Sequence, residues 1–148
     1  MNKTWTKKEV LAVYNRPLMQ LVYDAANQHR EYHNPLEVQV STLLSIKTGG
    51  CPEDCGYCPQ AARYHTDIEN NDLMSVSQVK AQALRAKSNG SSRLCMGAAW
   101  RNIQNNEEFD QVLEMVKTVN ELEMEVCCTL GMMSEDQARR LAAVSYTH

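Results

Sequence analysis

The sequence predicts an α/β fold built on a parallel sheet, and three observations lead there. Residues 38–46, 93–96 and 125–130 each alternate or concentrate apolar side chains in the manner of a strand, and helical apolar spacing follows. Two of the following helices open on a capping-box pattern, Ser75 with Gln78 and Ser134 with Gln137. A cysteine-rich loop lies directly past the first strand, where parallel α/β folds place their chemistry. Strand-then-helix units in series need crossovers, so the sheet is a (β/α) barrel or a doubly wound sheet.

Taken in order, the first third reads as helical. Val10, Leu11 and Tyr14 share one face, and Pro17 suits the first turn of a second helix with Leu18, Leu21, Val22 and Ala25 as its stripe. His29 and His33 stand one turn apart near its end. The spacing resembles a metal pair, but no third ligand is close in sequence, and histidines suit the negative end of a helix dipole. In the first strand Val38, Val40, Leu44 and Ile46 take one face and Gln39, Ser41, Leu43 and Ser45 the other. Gly49 and Gly50 break it. Val79, Ala83 and Ala86 or Lys87 continue the helix begun at Ser75, until Asn89-Gly90 stops it. A short strand around Arg93 to Met96 follows. Phe109, Val112, Leu113, Val116, Val119 and Leu122 mark an amphipathic helix, and the third strand ends at Gly131. The last helix runs through Ala138, Leu141 and Ala142.

Composition excludes several classes. A 148-residue chain with 43% hydrophobic and 22% charged residues is of single-domain size and ordinary globular make-up. No apolar run approaches the ~20 residues of a membrane span, so no membrane insertion is expected. A net charge of −3 offers no basic field for nucleic acid. The first residues lack the apolar stretch of a secretory signal, which points to a reducing cytoplasm where cysteines more often bind metal or react than form staples.

Cys51, Cys55 and Cys58, spaced C-x3-C-x2-C, can hold three corners of a 4Fe-4S cube and leave one iron open for chemistry. Ferredoxin spacings differ, and their cubes take four thiolates. The competing reading is zinc with His65 as fourth ligand, although zinc sites usually close with a second short-spaced pair. Strand alternation sorts the other cysteines. Leu94 and Met96 face the helices, leaving Arg93, Cys95 and Gly97 opposite; Val126, Cys128 and Leu130 face the helices, leaving Glu125, Cys127 and Thr129 opposite. Cys95 and Cys127 therefore share a face on strands about 4.8 Å apart, close enough to serve one cluster, or to be buried small hydrophobes. Cys128, on the helix side, reads as a small hydrophobe.

These residues resemble biotin synthase, a radical S-adenosylmethionine enzyme. The run Ser41-Thr-Leu-Leu-Ser-Ile-Lys-Thr-Gly-Gly-Cys-Pro-Glu-Asp-Cys-Gly-Tyr-Cys-Pro-Gln60 is similar to its cluster motif; Arg93-Leu-Cys-Met-Gly-Ala-Ala-Trp100 and Met124-Glu-Val-Cys-Cys-Thr-Leu-Gly131 are similar to its second and third signatures. Cys128 stands where the family commonly has another residue. The resemblance, from about Trp5 to Ala142, implies a partial (β/α) TIM-type barrel, with about three to four parallel strand-helix units at 37–148 and a helical N-terminal extension at 1–36, together one domain. It implies that Cys51, Cys55 and Cys58 hold a 4Fe-4S cluster whose open iron binds S-adenosylmethionine, which one electron cleaves to methionine and a 5′-deoxyadenosyl radical. Cys95 and Cys127 would supply two ligands of a 2Fe-2S cluster, the sulfur donor, and Tyr57 would sit beside the cofactor or pack the loop. Trp100 and Arg93 are candidates for touching cofactor or substrate, unless Arg93 pairs with Glu125. The substrate implied is dethiobiotin, the electron donor a flavodoxin or ferredoxin, and the full-length enzyme a homodimer.

A barrel of this type ordinarily needs about 250 residues. The family pattern continues past Ala142 with a glycine and a Tyr-Asn-His-Asn-x-Asp segment, whereas here Val144-Ser-Tyr-Thr-His148 departs from it. The family's third cysteine and its arginine ligand for the 2Fe-2S cluster also find no match. The expectation is therefore an N-terminal portion of a biotin synthase that makes no biotin alone.

Overall fold

The computed structural model describes residues 4–144. The chain forms two compact units that divide between Val38 and Gln39.

The first unit holds α1 (Lys7–Tyr14) and α2 (Leu18–Tyr32). Thr6 caps α1 in a reciprocal box with Glu9, satisfying two donors at the helix start. Pro17 sits just ahead of α2, one position earlier than its expected place in the first turn, and its fixed φ leads the chain into the helix. Neither helix contains a buried residue. Trp5, Val10, Val13, Tyr14 and Leu21 line an apolar cavity of ≈ 520 Å³. His29 and His33 stack with ring centroids 5.5 Å apart, both exposed.

The second unit is a three-stranded parallel sheet in the order β1-β2-β3: β1 (Ser41–Lys47), β2 (Arg93–Ala98) and β3 (Glu125–Thr129). Each strand is followed by a helix: α3 (Val76–Ser88), α4 (Glu107–Asn120) and α5 (Glu135–Ala143). Ser75 and Ser134 make the expected capping boxes with Gln78 and Gln137. Asn106 caps α4 by accepting the Phe109 N–H, a cap the apolar spacing did not reveal.

One face of the sheet carries the core. Ile46, Leu94, Met96 and Val126 bury themselves against Val79, Ala83 and Ala86 of α3, Phe109, Val112, Val116 and Val119 of α4, and Leu141 of α5. Burial of this continuous apolar layer is the main driving force for the unit. The opposite face presents Ser41, Leu43 and Ser45 on β1, Arg93, Cys95 and Gly97 on β2, and Glu125, Cys127 and Thr129 on β3, all half-buried or exposed.

The strand ends differ from expectation. β1 begins at Ser41 rather than residue 38, because its ladder starts opposite Arg93; Val38 is exposed outside it. β2 runs two residues further, to Ala98, and β3 stops one earlier, at Thr129. Leu122 lies in the turn after α4, where Glu123 takes φ 58°. The departing segment 145–148, with any fourth strand it would start, lies outside the described residues.

Candidate functional site

The cysteine loop leaves the C-terminal end of β1 through Gly49 and Gly50, both with positive φ. A Cβ on Gly49 would stand 2.7 Å from the Glu69 carbonyl oxygen, so glycine is required for the chain to pass here. Cys51 is buried and forms an isolated parallel bridge with Ala61. Its N–H donates to the Gln60 carbonyl at 3.0 Å, and its carbonyl accepts the Ala62 N–H at 2.7 Å. Between these ends, the Cys58 N–H donates to the Cys55 carbonyl at 3.1 Å and the Ala61 N–H to the Cys58 carbonyl at 3.3 Å. Cys55 is exposed and Cys58 half-buried, in contrast to the buried Cys51.

Charged side chains brace the loop from outside. Arg101, after β2, pairs with Glu53 at 3.0 Å, and Arg63 pairs with Asp54 at 3.0 Å. Lys47 Nζ donates to the Gly49 carbonyl at 3.3 Å. Sequence spacing missed these contacts, since no periodicity links Glu53 to Arg101. Tyr57 is 91% exposed and makes no part of the loop's packing. His65 lines a polar cavity of ≈ 210 Å³ together with Gly49, Gly50, Gln60 and Asn70.

The second thiol site lies on the face of the sheet opposite the apolar core. Cys95 and Cys127 are register partners on β2 and β3, and the Cys127 thiol donates to Cys95 Sγ at 2.8 Å. Two residues earlier on the same strands, Arg93 is paired with Glu125, Nη2 to Oε2 at 2.7 Å and Nε to Oε2 at 2.9 Å. Gln39 Nε2 donates to the same carboxylate oxygen at 2.6 Å. Arg93 thus takes the ion-pair role among its alternatives. Burial, then the hydrogen bond and charge of Cys95, push the Cys127 thiol up to about 11, with Arg93 pulling the other way. Cys128, on the core side, is pushed up to about 12, chiefly by burial and then by Cys127 and Cys95. Trp100 packs against the core rather than standing free.

Among the described residues, no three His, Cys, Asp or Glu side chains converge on a single metal position. A cubane gives each thiolate its own iron, so its ligands stand apart around the cluster. The thiols of Cys51, Cys55 and Cys58 on one short loop are a donor set that fits an iron-sulfur cluster.

Comparison with known proteins adds to this geometry. The chain is 74% identical to biotin synthase of Flavobacterium psychrophilum over 151 aligned positions, covering 100% of the chain and 42% of that protein. The biotin synthase of Christiangramia forsetii is 72% identical over 97% of the chain and 40% of its own length, and that of a Nostoc species is 50% identical over 97% and 44%. The chain matches biotin synthases over its whole length. It spans about two fifths of the biotin synthases it matches. No protein-family model matches it. In structure it resembles methylornithine synthase, with a TM-score of 0.69 at 15% identity, over 98% of this chain and 43% of that one. That likeness shows the α/β fold. No helix among the described residues is long and apolar enough to cross a membrane.

Proposed function

We propose that Cys51, Cys55 and Cys58 hold a 4Fe-4S cluster that binds S-adenosylmethionine, and that the chain is built for biotin synthase-type sulfur insertion into dethiobiotin. The single observation that carries the reading is the match to biotin synthases together with a three-thiol loop at the C-terminal end of β1. Cys95 and Cys127, side by side in register, would supply two ligands of a 2Fe-2S cluster. When bound, these groups supply one-electron cleavage of a sulfonium, hydrogen-atom abstraction from unactivated carbon, and sulfide.

The chain's own residues position and shield. Cys51 is anchored by backbone bonds at the loop's base, while Glu53 and Asp54 fix the loop's flank through Arg101 and Arg63. Arg93 and Glu125 neutralise one another beside the second thiol pair. Tyr57, exposed on the loop, would lie against the cofactor in this reading. In this reading residues 37–148 are part of a TIM-type barrel of about three to four strand-helix units, and residues 1–36 are a helical extension of the same domain. A reducing cytoplasm, a flavodoxin or ferredoxin as electron donor, and pairing of full-length chains into a homodimer complete it.

A second reading has an observation of its own. On the face of the sheet opposite the core, Cys95 and Cys127 are only half-buried. Radical chemistry needs a dry, enclosed site. The isolated 148-residue chain would then bind a cluster without turning over.

The test of the first step is spectroscopic. After anaerobic reconstitution with iron and sulfide, the reduced chain should show a cubane electron-spin resonance signal that changes when S-adenosylmethionine is added. A signal that ignores the cofactor, or stoichiometric zinc with no iron, would overturn the reading. Assay with dethiobiotin and reductant separates the two readings, since even one stoichiometric burst of biotin would reject the non-catalytic one.

A further inference from the structure

Gln60 contacts the cysteine loop with both its backbone and its side chain. Its carbonyl accepts the Cys51 N–H at 3.0 Å, and its side-chain Oε1 accepts the Gly49 N–H at 3.0 Å. The exit from β1 is therefore tied to the far end of the loop on both sides of Gly50. From the other side, the Asn71 N–H donates to the Thr48 carbonyl at 2.9 Å, and the Asn70 side chain lies against Gly49 and Gly50. None of these bonds needs a metal. They leave Cys51 buried and fixed, with Cys55 and Cys58 more open on the arc between.

Gathering three thiolates around one cluster costs loop-closure and side-chain entropy unless the loop is closed beforehand. The Cys51–Ala61 bridge does part of this with backbone groups that any residue would provide. The bond from Gln60 Oε1 to the Gly49 N–H depends on the side chain. Its loss would leave a part-buried donor without that acceptor and let the strand exit swing.

We propose that Gln60 is a positioning residue that presets Cys51 for cluster assembly by clasping the strand exit to the end of the cysteine loop. This rests on the reading of Cys51, Cys55 and Cys58 as cluster ligands. The test compares the full chain with Gln60→Leu, which removes the acceptor, and Gln60→Glu, which keeps one. Amide hydrogen exchange at Gly49 is read without iron, with Val116 in the α4 core as reference. Iron and sulfide uptake and visible absorption are read after anaerobic reconstitution. Gln60→Leu should speed Gly49 exchange by about tenfold with Val116 unchanged, and should slow cluster assembly. Gln60→Glu should restore both. Should Gln60→Leu unfold, seen as faster Val116 exchange, the parent and Gln60→Glu decide: equal Gly49 protection and assembly support the clasp, and their loss in the Glu variant overturns it. Unchanged Gly49 exchange in folded Gln60→Leu, or lost protection with assembly unaffected, also overturns the proposal. A parent chain that takes up no iron removes the cluster reading and the assembly role together, while Gly49 protection still reports the clasp bond.

Discussion

Leu94 and Leu43 sit on adjacent strands of the same sheet and face opposite ways, so truncating each to alanine measures which face carries the core. Leu94 is 0% exposed on the central strand, flanked in register by Thr42 and Val126. Leu94→Ala deletes three carbons, or about 2.4 kcal/mol at ~0.8 kcal/mol for each buried methylene. A central strand held on both sides cannot collapse far into the gap, and the residual cavity raises the expected loss to about 3–4 kcal/mol. Leu43 is 80% exposed on the cysteine-bearing face, and Leu43→Ala should cost under about 0.5 kcal/mol. The assay is urea unfolding under reducing conditions, followed by Trp100 fluorescence in a Trp5→Phe background. Trp100 packs on the core, so its signal reports the unit that carries both leucines. Equal losses for the two variants, or a loss below about 1 kcal/mol for Leu94→Ala, would refute the assignment of faces.

Three further outcomes are expected. Ser134→Ala removes one capping bond of α5 and should cost about 1 kcal/mol, whereas Gln137→Ala also strips the Ile103 carbonyl of a buried partner and should cost more, about 1–3 kcal/mol, by the same unfolding assay. Arg63→Ala breaks an exposed pair with Asp54 and an exposed cation–π contact with Tyr64, and should change stability by about 1 kcal/mol or less. Burial first of all pushes the Cys127 and Cys128 thiols up from 9.0 to about 11 and about 12, so the folded state should keep protons that the unfolded state releases. Their contribution is complete below pH 9.0 and is lost as the pH rises toward 12. Stability measured across that window should fall less steeply in Cys128→Ala than in the parent, and parallel slopes would contradict the placement of Cys128.

Parity along a strand made much of the second unit legible. Leu94 and Met96 must share a face, so Cys95 had to lie opposite, and the same alternation put Cys127 beside it and Cys128 toward the core. Ser75 with Gln78 and Ser134 with Gln137 showed helix starts because a capping box is a local bond pattern. The start of β1 was not legible, because a strand begins where its neighbour does, and Arg93 is 52 residues downstream of Ser41. The loop's bracing escaped for the same reason: Arg101 reaches Glu53, and Gln60 reaches back to Gly49, through tertiary approach alone. In the first unit, apolar spacing found both helices but did not predict that neither would bury a residue.

The central claim is that three thiols on one loop hold a cubane, and iron and acid-labile sulfide content after anaerobic reconstitution tests it most directly. The parent chain should bind a full 4Fe-4S complement at this loop, and Cys51→Ser, Cys55→Ser and Cys58→Ser should each lose it while Cys128→Ser keeps it. Iron content indifferent to all three loop substitutions, or a parent chain that refuses iron altogether, would contradict the account.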